Sequence, residues 1–427
     1  MLFSLLCAAQ TSAKQPTIAP FALRTLFLVA VALPALTFLV GPLLFTPQAT
    51  ASLHLAIASS AQSMQRTFAR LSALLPTYLT GYTTTTAAPT STRMASSTAT
   101  KLDGAEVINT PEDWKKELEL LPSLEENGGK VPSVFLAHGQ PFLLYPRAAA
   151  GGMAGALGEV QGPGGLLSQF LKDLGPCLIK KYKPKAIVVF SAHWETPGGG
   201  VVTDYGDENP LLYDFYGFPD ELYQTKFKSA GDHELAERVV SLLQAAKIKQ
   251  SRLTSKLEPR GEDGRGFAAP GFDHGVFVPF KLMFNGSSPV PIIQVSISST
   301  LTPAAQRALG AALEPLRSEG VLIISGGLTL HNLRDFTSFN PKTAKPVHRQ
   351  WEEAILDAVQ VAEPAKRAAA LDALVHHPAF HSAHPRAEHF VPIYVAAGAA
   401  QEAEAKEGKT TRLVCGLWGA KTIVFGV

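Results

Sequence analysis

From about Lys101 onward the chain alternates short apolar runs with longer stretches whose apolar residues recur at helical spacing. The short runs predict strands at SVFLAH (133–138), AIVVFSAH (186–193), GVVTDY (200–205), PIIQVSI (291–297), VLIISGG (321–327) and FVPIYVAAG (390–398). TRLVCGLW and TIVFGV, close to the C-terminus, predict a terminal hairpin. Helices are expected over 165–182, 219–247, 302–318, 344–360 and 364–375. Near-continuous apolar strands separated by helices are what a sheet covered on both faces requires. The expected fold is therefore an α/β domain of three layers, α/β/α, around a central mixed β-sheet.

The first hundred residues follow a different pattern. No Asp or Glu occurs before Asp103, and Thr25–Phe45 reads TLFLVAVALPALTFLVGPLLF without one charge. That run is long enough to cross a hydrocarbon layer of ~30 Å. Three readings stand side by side: a membrane anchor, an acid-poor organellar (mitochondrial) targeting region, or an upstream extension of a cytoplasmic protein that begins at Met94. Residues 82–100 are Thr/Ser-rich and read as a linker. The expected division is an N-terminal targeting or anchor region over 1–100 and a catalytic domain over 101–427.

Composition adds mainly exclusions. A net charge of +2 over 427 residues gives no electrostatic reason to expect a nucleic-acid partner. Cys7, Cys177 and Cys415 are too few and too far apart for a disulfide framework or a cysteine zinc site, which suits a reducing compartment.

The twelve histidines carry more information. His138 and His193 close two of the expected strands, His331 follows a third, and His389 precedes a fourth. His274 sits in GFDHG. In open α/β sheets ligands bind beyond the carboxyl ends of strands, so imidazoles far apart in sequence can converge there. Neutral imidazole is also the commonest metal ligand. Taken singly, each of these residues could equally be a hydrogen-bonded polar group at a strand end.

Seven segments in order resemble the class III extradiol ring-cleavage dioxygenases, in their 4,5-DOPA dioxygenase branch. They are FLAHGQPFLLYP (135–146), PKAIVVFSAHWETPGG (184–199), LYDFYGFPDELY (212–223), RGFAAPGFDHGVFVP (265–279), PIIQVSI (291–297), GGLTLHNLRDF (326–336) and HPRAEHFVPIYVAAGAA (384–400). The resemblance implies one non-haem metal ion held by His138, His193 and His389, with His331 as acid–base residue and His274 in the substrate pocket. It implies Fe(II) for activity, with Zn(II) able to occupy the same ligands. The substrates implied are O2 and a catechol-type ring. Tyr213, Asp214 and Tyr216, in the YDFYGFP run, are candidates for shaping the ring pocket, with burial as ordinary core residues the standing alternative. Gln140 and Phe277 stand where the family often has Ser and Trp.

Three-ligand sites with open positions suit Fe(II) oxygenases, and a pocket imidazole near its own pKa suits proton transfer to and from a catechol. Glu388 rivals His389 as third ligand, because both side chains bind iron; His384 is the weaker rival. A neutral three-His set would leave the site at +2, which favours a doubly deprotonated catechol or one carrying a carboxylate. Two other functions remain open on the residues alone. The same imidazoles could hold zinc for hydrolysis, although no general base or oxyanion partner is evident. A membrane-tethered binding protein with a dead site is the third reading, although every ligand position is filled.

Overall fold

A computed structural model of the chain describes residues 109–145, 160–260 and 266–427. The apolar segment 25–45 and the linker 82–100 lie outside the described residues. Among the described residues no helix is long and apolar enough to cross a membrane.

Eight strands form one mixed sheet: β1 (Ser133–Ala137), β2 (Ala186–Thr196), β3 (Val201–Thr203), β4 (Arg252–Thr254), β5 (Ile292–Ser298), β6 (Val321–Gly327), β7 (Thr411–Cys415) and β8 (Thr422–Phe425). Their order is β4-β3-β5-β2-β6-β1-β8-β7. The four central strands, β5, β2, β6 and β1, are mutually parallel. β3 runs antiparallel to β5, and β8 runs antiparallel to β1 and to β7. The sheet is therefore mixed, with antiparallel pairs on both sides of a parallel centre.

The central strands are apolar without alternation because both of their faces are covered. Successive side chains point to opposite faces, so each strand feeds two cores. Ile187 and Val189 of β2, with Leu322 and Ile324 of β6, join the helices α1 (Pro111–Glu119), α2 (Leu166–Tyr182) and α4 (His274–Met283). Val188, Phe190, Val321 and Ile323 join the opposite core, with α3 (His233–Ala245), α5 (Pro303–Ala312), α6 (Pro346–Gln360), α7 (Pro364–Ala373) and α8 (Pro392–Glu407). These are the three layers.

The run 390–398, expected as a strand, is the start of helix α8. A short apolar run fits a buried strand and a buried helix equally well by pattern. Here Pro392 takes the first turn, where its missing N–H costs nothing, and an Ala-rich sequence with high helix propensity follows. The helix lies against α5 with its backbone almost touching. A Cβ on Gly398 would stand 2.3 Å from the Arg307 carbonyl oxygen, and one on Gly310 would stand 1.9 Å from that of Val395. Glycine at both positions is what lets the two helices meet.

Other boundaries differ as well. Only 233–245 of the expected 219–247 helix forms, preceded by one short turn at Asp220–Tyr223. The 302–318 stretch breaks before Pro315, which cannot continue a helix hydrogen-bond ladder. The helix 274–283 and the short edge strand 252–254 carry too little periodic signal to be read from pattern.

Candidate functional site

The site lies beyond the carboxyl ends of the parallel strands. β1 delivers His138, whose backbone N–H donates to Gly327 O at the end of β6 (3.1 Å). β2 delivers His193 through an irregularity in its pairing with β5. Ser191 pairs with Ser296 and Glu195 with Ile297, so β2 advances four residues while β5 advances one. Such a bulge re-aims side chains locally, and here it frees His193 from the ladder. His389 arrives from the loop before α8, and its carbonyl accepts from Leu328 N–H (2.8 Å), which pins the loop to the end of β6.

The three imidazoles pack with ring centroids 4.9 Å (His138–His193), 5.3 Å (His138–His389) and 4.9 Å (His193–His389) apart. Each Nδ1 faces an acceptor: Gly139 O at 2.7 Å for His138, Asp273 Oδ1 at 3.3 Å for His193, and Glu388 Oε1 at 2.9 Å for His389. An acceptor at Nδ1 fixes the proton there and leaves a lone pair on Nε2. The His138 Nε2 is buried without a hydrogen-bond partner. The His193 and His389 Nε2 atoms face each other at 2.9 Å. Two lone pairs at that distance repel unless a cation lies against both. The ligand atoms of all three lie within 4.8 Å of one another. Burial also pushes the His138 pKa down to about 4, so its imidazole is neutral, as a ligand must be. The residues present therefore fit a metal ion held by three imidazoles.

Behind His193 stands a buried polar cluster centred on Asp273. Its Oδ1 accepts from Ser191 Oγ (2.6 Å) and from Gly275 N–H (3.0 Å), capping α4. Its Oδ2 accepts from Arg260 Nη1 (2.9 Å) and Gln294 Nε2 (2.6 Å). Burial alone would raise the Asp273 pKa, but the Arg260 guanidinium and the His193 imidazole outweigh it and hold the carboxyl well below its usual range. Arg260 also donates to the His193 carbonyl (3.2 Å) and lies over the Trp194 ring. Gly275 admits this crowding: a Cβ there would be 2.8 Å from both His193 Nδ1 and Ser191 Oγ.

On the opposite side His331 stacks flat on His389, centroids 3.5 Å apart and planes within 16°. Burial, reinforced by the neighbouring His389, lowers its pKa well below the usual histidine value. Its Nδ1 is 3.9 Å from Glu388 Oε1. His274 starts α4 beside His193, centroids 4.1 Å apart. Asp214 Oδ1 accepts from both the backbone N–H and Nδ1 of His274, at 2.7 Å each.

These side chains open on a cavity of about 320 Å³ lined by all five histidines, Asp214, Glu388 and a wall of apolar and aromatic residues. The family model described as "Catalytic LigB subunit of aromatic ring-opening dioxygenase" matches residues 135–426. The chain belongs to that family. Among its relatives is the "4,5-DOPA dioxygenase extradiol-like protein" of Schizosaccharomyces pombe, 40% identical over 315 residues, covering 74% of this chain and 97% of that one. The "4,5-DOPA dioxygenase extradiol" of Beta vulgaris is 37% identical over 224 residues, covering 52% and 75%. That of Escherichia coli is 28% identical over 270 residues, covering 63% and 85%.

In this LigB-family dioxygenase all five histidines expected at the site meet there. The ring-shaping candidates divide. Asp214 lines the cavity and anchors His274. Tyr216 stands at its mouth, 80% exposed and stacked on Phe267. Tyr213 is not among the lining residues; its hydroxyl donates to Thr225 O (2.7 Å) and its ring packs on Phe277. His384 does not join the ligand group: its Nε2 meets Thr329 O (3.0 Å) and its ring packs among Trp351, Phe380 and Phe390. Sequence reasoning missed Asp273 and Arg260. The DHG segment held a signal for the first, since an Asp before a helix start is a capping residue. Arg260 lies thirteen residues earlier in an irregular loop and has no sequence signal.

Proposed function

We propose that His138, His193 and His389 hold one Fe(II) ion and that the enzyme opens a DOPA-like catechol ring next to its two hydroxyls, inserting both atoms of O2. The convergence of three Nε2 lone pairs, each fixed by an acceptor at Nδ1, carries this reading. When bound, Fe(II) supplies the redox chemistry that lets a closed-shell catechol react with triplet dioxygen. Zn(II) suits the same ligands but lacks that chemistry.

The chain's own residues do the rest. His331 is neutral and lines the cavity, so its imidazole takes a proton from a catechol hydroxyl and returns it later to a product oxygen. With Nδ1 turned to Glu388, the working atom is Nε2. His274, tied through Nδ1 to Asp214, presents Nε2 to a substrate oxygen. The apolar wall orients the ring and keeps bulk water from the reacting atoms.

Reconstitution of the full chain with Fe(II) under anaerobic conditions, followed by L-DOPA and air, tests the reading. A coloured ring-opened product should form with Fe(II) and not with Zn(II). Equal ring opening with Zn(II) would contradict the Fe(II) assignment, and hydrolysis of ester substrates by the zinc form without oxygen uptake would support the zinc hydrolase instead.

A further inference from the structure

Two of the three clustered imidazoles are joined behind the site by one guanidinium. Arg386 stands three residues before His389, and Glu195 stands two residues after His193. Glu195 is buried, and its two carboxylate oxygens accept from Nη1 and Nη2 of Arg386 at 2.5 and 2.6 Å. The same Nη1 lies 3.4 Å from Glu388 Oε2, and Glu388 Oε1 accepts from His389 Nδ1 at 2.9 Å. A chain of charged contacts therefore runs from the end of β2, through Arg386, to the ring of His389. A buried carboxylate is costly unless a cation meets it, and the planar fork of arginine meets it in one geometry.

These two imidazoles need such a tie. The ladder between β2 and β5 skips from Ser191 to Glu195, so strand pairing alone does not set the His193 ring. His389 lies outside any strand, in the loop before α8. Their Nε2 atoms face each other at 2.9 Å, and a shared ion must meet both lone pairs. A ligand set keeps its ion only while outer partners hold each ring in place. His138 stands outside this chain of contacts, because its Nδ1 faces Gly139 O at 2.7 Å.

We propose that Arg386 is a positioning residue that holds His193 and His389 at the mutual spacing the metal requires, acting on the first through Glu195 and on the second through Glu388. The inference rests on the three-imidazole reading and is independent of the reaction the loaded site performs. Loss of the fork leaves His138 in place and loosens the other two rings. Arg386→Lys keeps the charge but, with a single ammonium, cannot span both oxygens of Glu195 in the same way.

The test loads the full chain with Co(II), whose paramagnetism moves the ring N–H proton signals of ligating imidazoles far outside their usual range. The native chain should show three such signals. Two variants are compared with it: Arg386→Lys, and the double variant Glu195→Gln with Arg386→Met, which strands no charge at position 195. Both should displace two of the signals and leave the third, that of His138, where it is. Both should hold Co(II) about tenfold more weakly in competition with a chelator, the low end of the loss expected when a partner behind a ligand is removed. The metal-free double variant should unfold close to the native midpoint, because replacing both partners of an ion pair leaves neither charge unpaired. Native affinity in either variant, any other pattern of displaced signals, or a metal-free double variant that unfolds well before the native chain would overturn the inference alone. Fewer than three shifted signals in the native chain would overturn the three-imidazole reading and the inference with it.

Discussion

The carboxylate of Glu388 accepts a hydrogen bond from Nδ1 of its neighbour His389 at 2.9 Å. Two adjacent residues that could each bind iron are thus arranged in series, with the carboxylate behind the imidazole. Arg386 holds Glu388 from the far side at 3.4 Å while forming a two-pronged pair with Glu195. On this account Glu388 orients a ligand. Glu388→Gln should lower metal affinity by about 10- to 100-fold, as loss of a carboxylate behind a ligating histidine does, without abolishing binding. His389→Ala should lose most of the metal. Elemental analysis of both variants after dialysis checks the order; the reverse order would make Glu388 the ligand.

His331 stacks on His389 but is assigned no metal bond. His331→Ala should keep its metal and lose about 10²- to 10⁴-fold in kcat, the usual range for an acid–base group. Metal content and turnover measured on one preparation separate the roles.

The Asp273–Arg260 pair is fully buried at 2.9 Å. Removing one partner leaves an uncompensated charge in the core. Arg260→Met should cost about 3–5 kcal/mol of stability, read by urea unfolding. Asp273→Asn should cost stability as well and loosen metal binding, because the acceptor behind His193 Nδ1 loses its charge.

His384 carries a pH dependence. Burial lowers its pKa from 6.5 to about 4, and its Nδ1 is buried without a partner. The unfolded chain therefore takes up a proton that the folded chain refuses between these values. The sign follows: stability associated with His384 is intact above pH 6.5, falls as pH drops, and levels off below about 4. The full swing is of the order of 3 kcal/mol. Unfolding curves from pH 7 to pH 4 should slope less steeply for His384→Phe than for the native chain; an unchanged slope would contradict the assignment.

Much of this arrangement was legible in the sequence, for definite reasons. β1, β2, β5 and β6 are apolar on both faces, so their runs stand out, and the histidines at their ends follow the rule that α/β sheets bind ligands at carboxyl edges. The helix at 392–407 was not legible as such. A buried helix packed through Gly310 and Gly398 is as apolar as a buried strand, and only the tertiary contact decides between them. Tyr213 stood open between pocket and core for a similar reason. An aromatic residue beside a site looks the same in sequence whether it faces the cavity or the core. The acceptors behind the ligands come from residues distant in sequence, such as Arg260 and Gln294 around Asp273, and no local pattern announces them.

The central claim is that the three-imidazole site directs both atoms of one oxygen molecule into an opened catechol ring. Turnover of L-DOPA by the Fe(II)-loaded full chain under ¹⁸O2, with mass analysis of the product trapped before exchange with water, tests this directly. The account predicts two labelled oxygens in a single ring-opened product. One labelled oxygen, or label arriving only from H2¹⁸O, would contradict it.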